Sequence, residues 1–333
     1  MIVSLFRKSQ WYTPIFLVIL GLLLWVDAFW HLDRWASFSD YSSGPFYHFL
    51  IPTLEANPYI ALSLSFTLLM IQVFYINHIA TSKEFIDRFS ALPALVYLLL
   101  MSSHPQLITP HPLLFANGFL LIALNKTFKA NQEHLVMPEV YNVGLLTALA
   151  ALFYFPSVVI LLLLILSLFV YYLISLRAIL AAVFGLITPI VFLGIYYFLT
   201  GDLETRLTEA TIYFEPMNIF RQTPGTLELV FVLTAGLLAF LSFSRLLLMY
   251  MPDRPIRIRK RIMVLFISFI VALLSYVVAT DYLHIHYGLL VIPLSIALSF
   301  FLHDLGRKKI TGFIFVVFVL VVLASRFSGY FIF

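Results

Sequence analysis

The stretch Tyr141-Asn-Val-Gly-Leu-Leu-Thr-Ala-Leu-Ala-Ala-Leu-Phe-Tyr-Phe-Pro156-Ser-Val-Val-Ile-Leu-Leu-Leu-Leu-Ile-Leu-Ser-Leu-Phe-Val-Tyr-Tyr-Leu-Ile-Ser175 runs for 35 residues without one charge. As a single helix it would be about 52 Å long at 1.5 Å per residue, against a bilayer core about 30 Å thick. It therefore holds two crossings, and the turn between them falls at Tyr154-Phe155-Pro156-Ser157.

The rest of the chain has the same character. Of its 333 residues 62% are hydrophobic and 11% charged, with a mean hydropathy of +1.02, whereas a soluble domain carries about a quarter charged residues. No soluble fold hides that much apolar surface. The sequence thus predicts an all-α polytopic transmembrane helix bundle: one integral membrane domain over 1–333 with no soluble part. Apolar runs bounded by charge, proline or polar clusters suggest eleven spans near 13–30, 58–79, 91–103, 112–125, 140–155, 157–176, 178–199, 226–249, 262–280, 284–302 and 310–325. The runs 91–103 and 112–125 are short, so nine spans with one re-entrant pair is the alternative. Arg7 and Lys8 precede an apolar run from Thr13 to Trp30. It is longer than a signal-peptide core and lacks a small-residue cleavage site, which makes it a retained first span. The absence of cysteine excludes disulfides, thiolate metal sites and a cysteine nucleophile.

Charge sorting tests this count, because basic residues are retained on the cytoplasmic face. With a cytoplasmic N-terminus and the C-terminus outside, 16 of the 20 Lys and Arg fall inside, leaving Arg34, Arg206, Arg221 and Arg326 outside. A single crossing over 140–176 would invert everything after it and give 9 inside and 11 outside, erasing the bias. Ten of the sixteen acids fall on or near the outer face, among them Asp27, Asp33, Glu204, Glu209 and Glu228, as do His31, His48, His104, His111, His284 and His286. Either the acids merely populate what the basic residues leave, or the outer face carries a site. Two outer segments, 31–57 and 200–225, mix aromatics, charge and proline as interfacial helices do.

The densest polar group near the membrane is Asp27-Ala-Phe-Trp-His31-Leu-Asp33-Arg34-Trp35. On a continuing helix Asp27, His31 and Arg34 share a face, close enough for the carboxylate to orient the imidazole. The competing reading makes Trp25, Trp30 and Trp35 an interfacial aromatic belt with Asp27 and His31 a solvated pair above it. A charge at membrane depth is costly unless it serves something, and Asp27 is the acid nearest that depth. Arg206 and Arg221 are the natural phosphate binders of an otherwise acidic surface, or else partners of Glu204, Glu209 and Glu215. His284 and His286, beside Asp281, point about 200° apart on a helix and reach one ion only from a loop. His104 and His111 could join them, but nothing has a metal-ligand cadence, and interfacial histidines are the default. The basic run Arg254 to Arg261 reads as a topology determinant and anionic-lipid contact. Asn117, Asn142 and Gln72 lie within spans, with Gly118, Gly144 and Gly185 for close helix approach, and Pro189 and Pro293 as kinks. No Ser-His-Asp triad, P-loop, GxGxxG or other cofactor motif is present, and no feature supports nucleic-acid binding.

Three blocks carry a resemblance: Phe89-Ser-Ala-Leu-Pro-Ala-Leu-Val-Tyr97-Leu-Leu-Leu-Met-Ser102, Pro112-Leu-Leu-Phe-Ala-Asn117-Gly-Phe-Leu, and Val140-Tyr-Asn-Val-Gly144 through Pro156. With the short basic leader Met1-Ile-Val-Ser-Leu-Phe-Arg-Lys-Ser9, they resemble an uncharacterised bacterial family of multi-spanning inner-membrane proteins, over about the first 200 residues. Some members carry a beta-carotene monooxygenase label. That chemistry needs several histidines converging on iron around an apolar tunnel, whereas here they cluster towards the loops, with only His78 and His284 at span ends.

The layout is also similar, more distantly, to membrane glycosyltransferases that use polyprenyl-phosphate sugars. That similarity implies a carboxylate base near the end of the first span, Asp27 or Asp33 here, with Gly44-Pro-Phe-Tyr-His-Phe-Leu50 as an interfacial helix and Arg206 or Arg221 meeting phosphate. The chain departs from them in lacking a paired acidic motif in the first outer loop and a large outer domain. Three function classes follow: a transferase acting on a lipid carrier at an outer-face site, a non-catalytic subunit or assembly factor with membrane-protein partners, and a transporter. The transporter ranks last because the span interiors hold almost no ionisable residues for a midplane site.

Overall fold

The computed structural model describes residues 2–8, 10–30, 43–129, 136–210, 226–275, 283–305 and 308–327. Among these the backbone is almost entirely helical and forms no strand; its one β-type pairing is an isolated bridge between Ser43 and Tyr154. The helices are α1 (Ile2–Arg7), α2 (Thr13–Trp30), α3 (Pro45–Ala56), α4 (Pro58–Ser82), α5 (Leu92–Met101), α6 (Pro112–Lys129), α7 (Val136–Phe153) and α8 (Ile160–Tyr171), then α9 (Leu176–Thr200), α10 (Leu203–Ala210), α11 (Thr226–Arg245), α12 (Ile256–Leu274), α13 (Leu283–His286), α14 (Gly288–Asp304) and α15 (Lys308–Arg326). Five stretches are long and apolar enough to cross a membrane: Thr13–Trp30, Pro58–Ser82, Leu176–Thr200, Thr226–Asp253 and Lys309–Arg326. The chain is all-α and has the make-up of a membrane protein.

The charge-free stretch bends where its proline stands. α7 ends at Phe153, Tyr154 is extended, and a 3-10 turn over Phe155–Val159 leads into α8. The two ends of this pair return to the same place. Glu139 at the start of α7 pairs with Lys126 at 2.8 Å, while Tyr171 at the end of α8 accepts a hydrogen bond from Lys260 at 3.4 Å. The same end of the molecule gathers further contacts between cations and distant segments. Arg7 donates to the carbonyl of His303, Arg257 pairs with Glu84 at 3.0 Å, and Arg261 donates to the carbonyl of Lys83. Arg245 pairs there with Asp304. The basic residues that the sequence sorts to one side thus meet at one end of the structure.

Helix boundaries follow local chemistry. Proline opens α3, α4 and α6 and is the second residue of α5, where its missing N–H costs nothing. Ser175 caps α9 by accepting from the Ala178 N–H at 3.2 Å, and Gly201, at φ +81°, closes it. Pro189 and Pro293 lie inside α9 and α14.

Two helices form the centre. All ten residues of α5 are buried, and so is every residue of α14 from Gly288 to Leu302. With ten residues, α5 is about 15 Å long, half a bilayer core. The chain after it, Ser102 to His111, stays buried or half-buried before α6 begins. Trp25, read in the sequence as part of an aromatic belt, is instead wholly buried: its indole donates to Ser102 Oγ at 3.3 Å and its ring meets Phe66 edge-on. Trp30 is 78% exposed.

α7 and α9 cross at two glycines. A Cβ on Gly144 would lie 2.2 Å from the Ala182 carbonyl oxygen, and one on Gly185 would lie 2.2 Å from that of Tyr141. Small residues at such a crossing are what let membrane helices pack when no hydrophobic force separates them from lipid. Gly185→Ala should therefore force the two helices apart and cost about 1–3 kcal/mol. Gly194→Ala, on the same helix with nothing within 4 Å, should be neutral or stabilising by up to about 1 kcal/mol. Thermal unfolding of both variants in detergent checks the contrast, and equal losses would contradict it.

Candidate functional site

α3 is held against the end of α7 by its backbone. The Gly44 N–H donates to the Phe153 carbonyl at 2.8 Å, satisfying one of the carbonyls that a helix C-terminus leaves without a partner. A side chain at 44 would collide with the Leu152 carbonyl, 2.2 Å away. This seat sets α3, within the segment expected to form an interfacial helix, across the space between α7 and α9. Beneath it lies an open groove of about 610 Å³ lined by Phe46, Phe49, Leu145, Leu149, Thr188, Pro189, Phe192, Leu193 and Tyr196. Thr188 is a polar residue of that wall, its hydroxyl hydrogen-bonded with Tyr141 Oη at 3.1 Å. The groove has the size of a small-molecule site and an almost wholly apolar lining, which suits a hydrocarbon chain.

A polar rim stands at one end. Phe49 stacks on Tyr197 and meets Tyr196 edge-on, with centroids 6.3 and 5.9 Å apart. The Arg206 guanidinium lies 5.8 Å from the centre of the Tyr197 ring and pairs with Glu209 at 2.6 Å. His48, hydrogen-bonded to Ser43 Oγ at 3.1 Å, is held below the usual imidazole range, first by burial and then by the charge of Arg206. Of the two sequence readings of Arg206, the structure shows the pairing with an acid, Glu209. The pair is 45% and 53% exposed, so its attraction is largely screened and a better anion can compete for the guanidinium.

The other expected site residues are placed differently. Asp27 faces Arg326, with Oδ2 and Nη2 4.0 Å apart; Arg326 is 1% exposed and Asp27 21%. The sequence put these two near the outer face separately and gave no sign that they meet. Asp33, His31, Arg34 and Arg221 lie outside the described residues. The structure brings Arg206 and His48 together and pairs Asp27 with Arg326.

The histidines weighed as metal ligands are engaged otherwise. His286 is buried, with Nδ1 2.7 Å from Tyr154 Oη and Nε2 2.7 Å from Ser275 Oγ. His104 Nε2 lies 3.3 Å from Glu228 and fastens the chain after α5 to the start of α11. His111 Nδ1 accepts from the Leu114 N–H at 3.1 Å, capping α6. Among the described residues no three His, Asp or Glu side chains gather as a metal site; the His284 side chain and Asp281 lie outside them.

The groove itself escaped the sequence reading. Its one signal was a Thr188-Pro189 pair inside an apolar helix followed a little later by Tyr196-Tyr197, and nothing in the pattern placed Phe46 and Phe49 opposite them. Comparison of the chain with protein-family models, with curated proteins and with solved structures finds no match.

Two measurements follow from these contacts. A double-mutant cycle over Asp27→Asn and Arg326→Gln, read by unfolding in detergent, should give a coupling of about 0.5–3 kcal/mol; additive effects would show that the two charges do not sense each other. Burial also pushes His111 down to about 3. The unfolded chain then takes up a proton near pH 6.5 that the folded one refuses, so stability falls as pH drops below about 6.5, by up to about 1.4 kcal/mol per unit. His111→Asn keeps a capping side chain without the titration and should make that acid limb shallower by its share, up to about 1.4 kcal/mol per unit.

Proposed function

We propose that the chain is a bacterial inner-membrane protein that binds a lipid-linked substrate of the polyprenyl-phosphate kind, and acts as a transferase on that carrier at its outer face. The observation that carries the reading is an apolar groove of about 610 Å³ ending beside Arg206 and His48. That is the arrangement an amphiphile with a long hydrocarbon chain and an anionic head requires: apolar wall for the chain, guanidinium for the phosphate. Arg221 belongs to the same proposal as a second phosphate contact. A carboxylate base at Asp27 or Asp33, with His31 oriented by Asp27, completes it and rests on the resemblance to polyprenyl-phosphate glycosyltransferases.

The topology proposed is eleven crossings with a cytoplasmic N-terminus and the C-terminus outside. Gathering of Arg7, Lys83, Lys126, Arg245, Arg257 and Arg261 at one end supports making that end cytoplasmic. α5 is the crossing that departs most from a full span, and a half-length helix continued by a buried turn fits the re-entrant alternative equally.

A second reading, a non-catalytic subunit of a membrane complex, draws on the interior. The pocket between α6, α8, α12 and α14 has room for about one water at roughly 20 Å³, while α9 and α11 present exposed flanks such as Phe184, Phe192, Leu233 and Phe240. One purification separates the readings. In mild detergent the transferase reading expects a polyprenyl phosphate to be retained and detected by native mass spectrometry. Leu149→Trp, which fills the groove, should abolish retention; Arg206→Gln should weaken it about 3–10-fold. Stoichiometric protein partners with no retained lipid would replace this reading with the second.

A further inference from the structure

At the basic end, opposite the groove, the C-terminal ends of α4 and α8 meet the first turns of α12. Arg261 donates from Nη1 to the Lys83 carbonyl at 3.3 Å, and Lys260 donates to the Tyr171 carbonyl at 3.4 Å. Cations from α12 thus cap both helix ends, as the dipoles favour. Capping leaves much of the local chemistry unused. Arg261 is 5% exposed, and its buried Nε has no hydrogen-bond partner. The Tyr171 hydroxyl, on a side chain 3% exposed and within the field of Arg261, also lacks one. Lys83 is 7% exposed, and its ammonium joins no ion pair among the described residues.

The nearby carboxylates are taken. Glu84 pairs with Arg257 and Glu139 with Lys126; these acids reach Arg261 and Lys83 only through their field, and Lys83, Lys129, Lys260 and Arg261 join no ion pair among the described residues. The N-terminus of α12 adds its partial positive charge to theirs. Holding two cations side by side, with the buried Nε of Arg261 unused, is costly unless an anion joins them. The Lys83 ammonium registers the strain: burial first, then Arg261 and Lys129, push it down to about 8.

We infer that Lys83, Arg261 and Tyr171 form a phosphate-binding site at the basic end of the molecule. Lys83 supplies a point charge, Arg261 a planar donor edge through Nε, and Tyr171 a neutral O–H donor, a set matched to the tetrahedral oxygens of a phosphate group. That group sits on an anionic phospholipid head or on a soluble phosphate compound. The inference does not rest on the groove or on any activity assigned to it.

The test uses the full-length protein, delipidated and returned to phosphatidylcholine nanodiscs, with thermal unfolding as the readout. Two probes are added separately: 20 mM inorganic phosphate, and phosphatidylglycerol at about a fifth of the lipid. Stabilisation by phosphatidylglycerol alone identifies a lipid head as the ligand; stabilisation by inorganic phosphate identifies a soluble one. In either case Lys83→Gln and Arg261→Gln should each weaken the apparent affinity about tenfold. Arg259→Gln, an exposed cation on the same helix, should leave it unchanged. Tyr171→Phe removes only a hydroxyl. A purely structural role expects this variant to be as stable as wild type or more so and to respond alike to both probes, whereas the site expects a several-fold loss of response. The inference is overturned if neither probe stabilises the wild type, or if Tyr171→Phe and Arg259→Gln respond identically to it.

Discussion

Gln72 is the constraint on which the packing depends. Its amide, 2% exposed on α4, donates to the Leu114 carbonyl of α6 at 2.7 Å and accepts from the Tyr97 hydroxyl of α5 at 2.8 Å. Asn117, one turn along α6, donates to the Gly288 carbonyl at the head of α14. In a largely apolar interior, apolar contacts alone let helices slide with little penalty, since lipid tails are as apolar as the side chains. A buried amide without a partner costs about 1–3 kcal/mol, so these bonds admit one register. They join four helices, and α5 and α14 are buried completely within that frame.

The periphery is organised by backbone rather than by side chains. Gly44 lets α3 touch the end of α7, and Gly144 with Gly185 lets α7 touch α9. These approaches bring three helices together while leaving a furrow lined by all three. The charged ends then divide the molecule. One holds Asp27 against Arg326 and Arg206 against Glu209; the other holds most of the basic residues. The second end holds ion pairs of its own, Lys126 with Glu139, Arg257 with Glu84 and Arg245 with Asp304, and it is the surplus of cations beyond them that makes the two ends chemically different.

Much of the fold was legible in the sequence because bilayer thickness and charge sorting are coarse, additive constraints. The length of the charge-free stretch required a turn, and Tyr154 to Pro156 supplies it. The segment from Gly44 to Leu50 was read as helical, and it forms the N-cap and first turns of α3. The site was much less legible. Arg206 stood out as a cation on an acidic surface, but its neighbour His48 and the groove depend on aromatic contacts between segments about 150 residues apart, for which no local pattern exists. Trp25 shows the same limit: tryptophan near a span end reads as interfacial, and only the placement of Ser102 beside it makes it core. Lys83 and Arg261 belonged to runs read as topology signals, since burial of a cation leaves no trace in a periodicity.

The bond from Asn117 to Gly288 spans 171 residues of chain. Synthesis at about 5–20 residues per second puts roughly 10–30 s between the emergence of its two partners. Throughout that interval α5 and α6 lack the helix that covers them, with a half-length apolar segment and an amide left without its partner. Assembly of this chain is therefore a matter of timing as well as of stability: the early helices need shelter, from the insertion machinery or from one another, until the last third of the protein arrives.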